Sequence, residues 1–285
     1  MRDATLSGPG DSLPGSKSSL LPRLEWRIAA LKNGFQDATA YRLEFFLEVF
    51  GAAFVPAAIQ WVLWYALFVM GHQETIGGLT YHQMLAYTFT SILFTQIRGG
   101  DHDFELVEMI RSGGLSNYLL RPTGVVEFVW IRGLAPKLFI SAVCLGIGVA
   151  VSFFYPELSA ARMVAAMGLA LLGNIIAYQI GATIATLAFY WEEAYSMLMV
   201  KNMIVQILCG ELLPLSLFPA SMTWMWKSTP FYLYVYGPTQ YALGRWTTGE
   251  FMDAVGIACL WMLGLWGLVH LSWKLSIKRY LSLGG

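Results

Sequence analysis

Apolar runs long enough to lie in a bilayer alternate along this chain with short polar stretches. Six runs stand out, at residues 51–70, 83–97, 138–155, 163–190, 199–213 and 254–273. The first has Gln60 as its one clearly polar side chain. The second is weaker, and Thr88, Ser91 and Thr95 share one helical face. That face either lines a polar path or packs its hydroxyls against a neighbouring helix. The third and fourth runs carry a small residue at every fourth position: Ala142, Gly146 and Ala150, then Gly173, Ala177, Gly181 and Ala185. Such spacing lets two helices approach closely and reads as a packing seam. Lys201 lies close enough to the start of the fifth run to snorkel. Glu211 lies near its other end, so it is either a site residue or a cap.

The polar stretches are as informative as the apolar ones. Residues 23–48 place Leu24, Ile28 and Leu31 at helical spacing among Arg23, Arg27 and Lys32, with Trp26 suited to the headgroup level. They predict a helix lying in the interface. Residues 98–122 form a polar island between the second and third runs, with seven charged side chains and His102. Asp101 and Asp103 suit the start of a short helix there, Arg111 suits its end, and Gly113-Gly114 stops it. Phe104, Val107 and Ile110 make an apolar stripe, while Glu105 and Glu108 face elsewhere. This helix either docks a soluble partner or folds back on the headgroups or its own bundle. A smaller connection, 191–195, contributes Glu192 and Glu193. Residues 214–250 are too apolar for a solvated loop and too broken by prolines for one span, which predicts short helices that re-enter the membrane from the outer side.

Composition agrees with an all-α integral membrane protein. Of 285 residues, 56% are hydrophobic and 13% charged, where a soluble domain carries about 25% charged. The formal charge is zero, so no basic field points to nucleic acid. Cys144, Cys209 and Cys259 sit in apolar runs as small buried side chains. The first 20 residues hold no apolar core of a signal peptide. The expected division is a disordered cytosolic tail (1–22), an interfacial elbow helix (23–48), a six-span domain (49–275) and a second cytosolic tail (276–285). Of 18 Lys and Arg residues, only Arg162, Lys227 and Arg245 fall on the face opposite the termini. The positive-inside rule therefore places both termini and the polar island in the cytosol.

Familiar catalytic signatures are absent. No GxxxxGK[ST] cradle, HExxH, CxxC or GxSxG occurs. Asp101, His102 and Asp103 can all ligate metals, but adjacent helical residues point in different directions, so no metal site is expected. The spans hold too few charges for an ion-coupled transporter. If the chain moves a substrate, the energy comes from elsewhere.

Taken in order, these features resemble the permease subunits of type-2 ABC exporters. The elbow and acidic helix are followed by Gly113-Gly114-Leu115 and Tyr118-Leu119-Leu120-Arg121-Pro122. Later come Gly210, Leu213-Pro214-Leu215, Phe218-Pro219, Pro230-Phe231 and Pro238, and the tail from Lys278-Arg279-Tyr280 to Gly284-Gly285. The resemblance spans roughly residues 23–285 and implies a bacterial inner-membrane exporter. It implies two permeases, alike or unlike, each docking a cytosolic ATPase that carries ATP and magnesium. Carried onto this chain, residues 101–111 become the main coupling helix and 191–195 a minor one, with re-entrant helices at 214–236. The implied coupling residues are Asp101, Asp103, Phe104, Glu105, Val107, Glu108, Ile110, Arg111, Glu192 and Glu193. Thr88, Ser91, Thr95 and Glu211 are the candidates for a translocation path. No cofactor is implied on this chain, and lipid is its surroundings. The competing reading is a membrane-embedded enzyme acting on lipid-like substrates, for which the outer side offers His72, Glu74, His82, Glu157 and Glu250.

Overall fold

A computed structural model describes residues 21–40, 42–98, 102–119, 124–156 and 158–282. The described residues are helical throughout, with no strand longer than a single bridge, Ile76 to Leu79, in one turn. The expected tail at residues 1–20 and the ends of the island (Asp101, Arg121, Pro122), Glu157 and Gly284-Gly285 lie outside the described residues.

Four helices are long and apolar enough to cross a membrane: Phe50–Met70, Val125–Ser152, Ala160–Phe189 and Thr248–Arg279. They belong to α2 (Arg42–Tyr65, continued by a π-helical turn Ala66–Met70), α6 (Val125–Ser152), α7 (Ala160–Ala185, continued by a 3-10 turn Thr186–Phe189) and α11 (Thr248–Ser282). The other two expected spans are shorter or more polar. α3 (Tyr81–Arg98) spends its length on Thr, Ser and Gln, and α8 (Ala194–Leu208) has 15 residues. At 1.5 Å per residue, α8 covers about 22 Å of a core roughly 30 Å thick.

α7 is the central helix. It touches α3, α6, α8, α11, α4 (His102–Arg111) and α10 (Tyr236–Ala242), and half of its apolar window is buried. α2 is mostly outward-facing, with Phe54, Ile59 and Val62 exposed. These apolar faces suit lipid or another membrane chain. Within the N-terminal amphipathic stretch, α1 (Leu21–Ala40) packs along α6. Their crossing has a specific cause. Pro136 has no N–H for the carbonyl of Arg132, four residues earlier in α6. Gly34 of α1 sits over that carbonyl, so near that a Cβ there would lie 2.1 Å from the oxygen.

α6 follows the short helix α5 (Leu115–Leu119) and begins at Val125, well before the expected start of its span at residue 138. Arg132 and Lys137 lower the local hydropathy and Pro136 reads as a breaker, yet all three are accommodated. Arg132 pairs with Glu105, and Lys137 donates to the Gln96 carbonyl.

The broken stretch after α8 goes out and back twice. Tyr87 donates to the Gly210 carbonyl and Gln60, midway along α2, donates to the Glu211 carbonyl, so α8 ends beside the middle of α2. The chain then reaches the α2–α3 turn, where Leu217 packs against Gly77. It passes through α9 (Thr223–Lys227) and returns inward, where the Tyr236 amide donates to the Cys209 carbonyl. α10 carries it out again, and Arg245 donates to the Gly78 carbonyl. α11 then starts with a reciprocal cap between Thr247 and Glu250.

Candidate coupling helix and polar cavity

α4 is the short helix expected in the polar island, and its first turn is inserted into the bundle. Two glycines make the room. A Cβ at Gly133 on α6 would lie 2.2 Å from the His102 ring, and one at Gly181 on α7 would lie 2.3 Å from the Asp103 carboxylate. Asp103 is 4% exposed, and the Lys201 ammonium donates to its Oδ2. Lys201 therefore turns inward to a buried carboxylate rather than snorkelling. Glu105 pairs with Arg132 at 2.8 Å, at an exposure where such pairs contribute about 1 kcal/mol or less. Phe104 packs on Tyr195, with ring centroids 4.7 Å apart.

The apolar stripe of α4 is mostly inside the chain. Val107 and Ile110 are buried with Leu106 in a cluster that includes Ala182 and Ala185 of α7, Leu198 of α8 and Val269 of α11. What α4 leaves exposed is Glu108 and Arg111. The Arg111 guanidinium donates to the Glu192 carbonyl, 2.8 Å away, which ties the end of α4 to the turn before α8. Glu192 and Glu193 are exposed on that turn. The larger and smaller polar connections thus meet in one patch: Glu108, Arg111, Glu192 and Glu193.

The hydroxyl face of α3 is closed within this chain. Trp64 donates to Thr88, and Ser91 donates to the Thr88 carbonyl. The Thr95 hydroxyl is buried with no partner among the described residues. Glu211 is part-buried and takes a 2.7 Å hydrogen bond from Arg98, so two charges of opposite sign are held together at the depth where α8 ends.

Between α3, α4, α6, α7, α8 and the 3-10 turn Phe231–Leu233 lies a polar cavity of about 190 Å³. Arg98, Asp103, Trp130, Asn174, Lys201 and Tyr234 are on its wall. Sequence reading assigned no role there to Trp130, Asn174 or Tyr234, and took Gly181 for a helix-packing residue. The small-residue spacing in α7 did carry the signal, but Gly181 makes room for a carboxylate and Ala177 borders the cavity. Of the residues available to the lipid-enzyme reading, Glu157 lies outside the described residues. The Glu250 carboxylate is taken up in the cap of α11, and no three His, Cys, Asp or Glu side chains cluster as metal ligands among the described residues.

The sequence profile described as "ABC-2 family transporter protein" matches residues 54–284, from the middle of α2 through α11. No curated protein matches the sequence.

Proposed function

We propose a role for this chain from the premise that it belongs to the ABC-2 transporter family, as a permease subunit. It is the membrane-spanning half of an ATP-driven exporter in the bacterial inner membrane. Two such permeases, alike or unlike, form the substrate path, and each docks a separate ATPase that binds ATP and magnesium. Both termini and α4 face the cytosol, a reading supported by the Lys and Arg distribution.

The observation that carries this reading is the way α4 is mounted. A surface helix that only rests on the bundle would not bury an ion pair in its first turn. Asp103 is locked to Lys201 on α8, Glu105 to Arg132 on α6, and Val107 and Ile110 to α7 and α11. A push on α4 therefore moves several helices as one body. The exposed patch of Glu108, Arg111, Glu192 and Glu193 is where the push arrives, its three carboxylates suited to basic groups on the ATPase. Asp101, outside the described residues, adds a further carboxylate to the same acidic stretch of sequence. The stretch at 214–236 forms the outer re-entrant gate.

The test is a double charge reversal, Glu108→Arg with Glu192→Arg, in the full chain. Neither side chain is buried, so membrane insertion and thermal stability should be unchanged. Binding of the ATPase should fall by one or more orders of magnitude, and substrate-stimulated ATP hydrolysis with it. Normal stimulated hydrolysis in this variant overturns the docking assignment.

A further inference from the structure

The cavity behind α4 holds more hydrogen-bond donors than the bundle uses. Three on its wall, Arg98 Nε, Trp130 Nε1 and Tyr234 Oη, are buried without an acceptor among the described residues. Tyr234 is 1% exposed. Folded proteins pair such groups almost always, because an unpaired one keeps its full desolvation cost. The Arg and Trp nitrogens can only donate, so what is missing is an acceptor. The two cations on the wall are each held by a carboxylate, Arg98 by Glu211 and Lys201 by Asp103, so the wall is polar without net charge, and Arg98 keeps its Nε–H to offer. An acceptor oxygen answers the orphan donors, and a compact oxyanion does so most strongly because one of them belongs to a guanidinium.

Size narrows the occupant. About 190 Å³ is room for roughly six water molecules, below the roughly 300 Å³ at which pockets for whole drug-sized ligands begin. A phosphate or carboxylate headgroup fits; a complete large ligand does not. The rest of such a molecule has somewhere to go. Asn202 and Gln206 border the cavity and also a groove on the outer face of α8, lined by Phe104, Tyr195, Met199 and Met203. Met199 and Met203 are exposed, and unbranched thioethers adapt to variable apolar chains.

We propose that cavity and groove together bind one anionic amphiphile. Its oxyanion head sits against Arg98, Trp130 and Tyr234, and its apolar tail lies along Phe104, Tyr195, Met199 and Met203. Binding is a property of this chain alone. That the amphiphile is also the transported substrate rests on the exporter reading above.

The experiment uses the purified full chain in phosphatidylcholine nanodiscs doped with dioleoyl phosphatidate, with native mass spectrometry counting retained lipid. One phosphatidate per chain should survive where phosphatidylcholine is stripped. Tyr234→Phe and Trp130→Phe each remove a donor that has no partner to lose, so thermal stability should hold while retention weakens about tenfold. Met203→Glu should weaken phosphatidate without changing the response to inorganic phosphate. Equal retention of the two lipids overturns the proposal and leaves a water-filled cavity. Retention unchanged in both aromatic variants overturns the headgroup assignment, and inorganic phosphate binding as tightly as phosphatidate overturns the tail. Should either aromatic variant misfold, the two-lipid comparison on the unaltered chain still decides. None of these readouts involves the ATPase, so a failed exporter reading and a failed binding site remain distinguishable.

Discussion

The Asp103–Lys201 pair is the most exacting point in this structure. Asp103 is nearly inaccessible, 5% by side chain, and Lys201 is 13% exposed. Replacing Lys201 by Met keeps the apolar stem of the side chain and removes its charge, leaving the carboxylate against Gly181 with no counter-ion. Breaking a buried pair on one side costs about 3–5 kcal/mol, because the remaining charge stays desolvated. Replacing both partners, Asp103→Asn with Lys201→Met, removes the uncompensated charge, and such double replacements are often near neutral. At about 2–4 °C per kcal/mol, the single variant should melt roughly 10 °C lower and the double variant within a few degrees of the unaltered chain. Thermal unfolding of the purified chain in mild detergent, followed for all three variants, measures both numbers. A single variant that melts within about 2 °C of the original, or a double variant as unstable as the single, would refute the inference that the pair is a buried, mutually dependent mount for α4.

Gly181→Ala should act on the same mount without touching a charge, since its methyl meets the Asp103 carboxylate. We expect a loss of about 1–3 kcal/mol in thermal unfolding and weakened ATPase stimulation; a silent substitution would mean that α4 sits further from α7. Gly34→Leu should loosen α1 from α6 at the Pro136 gap while sparing the core, seen as faster hydrogen exchange confined to α1 and the α6 segment near Arg132. Thr247→Val should fray the first turn of α11, since it removes the hydroxyl shared with Glu250; faster hydrogen exchange at residues 248–251 is the expected signature. A cysteine at Glu108 should react with an impermeant thiol reagent only from the cytosolic side and one at Lys227 only from the opposite side, and the reverse pattern would invert the topology.

Hydropathy made the long helices legible because a run of apolar side chains needs no knowledge of its neighbours. The end of α4 was legible for a local reason too. Gly113 takes φ +76°, the left-handed conformation that stops a helix after Arg111 and Ser112. What stayed hidden depends on partners remote in sequence. Lys201 looks like a snorkelling residue until Asp103, 98 positions away, is found beside it. The same holds for the stripe of Phe104, Val107 and Ile110. Periodicity identifies an apolar face but cannot say whether a partner protein or the chain's own bundle covers it, and here Val107 and Ile110 are covered from within. α6 was cut short on paper because Arg132, Pro136 and Lys137 look like loop residues, whereas Glu105, Gly34 and the Gln96 carbonyl each accept one of them or the gap it leaves. The cavity was invisible for the same reason: its wall is drawn from five helices and the turn that carries Phe231 and Tyr234.

The central claim is that this chain is a transport permease driven through α4 by a separate ATPase. Purification of the tagged chain from its native membrane in mild detergent, with mass spectrometry of what remains bound, tests it most directly. A cytosolic ATPase should be recovered in stoichiometric amount and be lost when Glu108 and Glu192 are both changed to Arg. Recovery of the chain alone, even after cross-linking in the membrane, would contradict the claim.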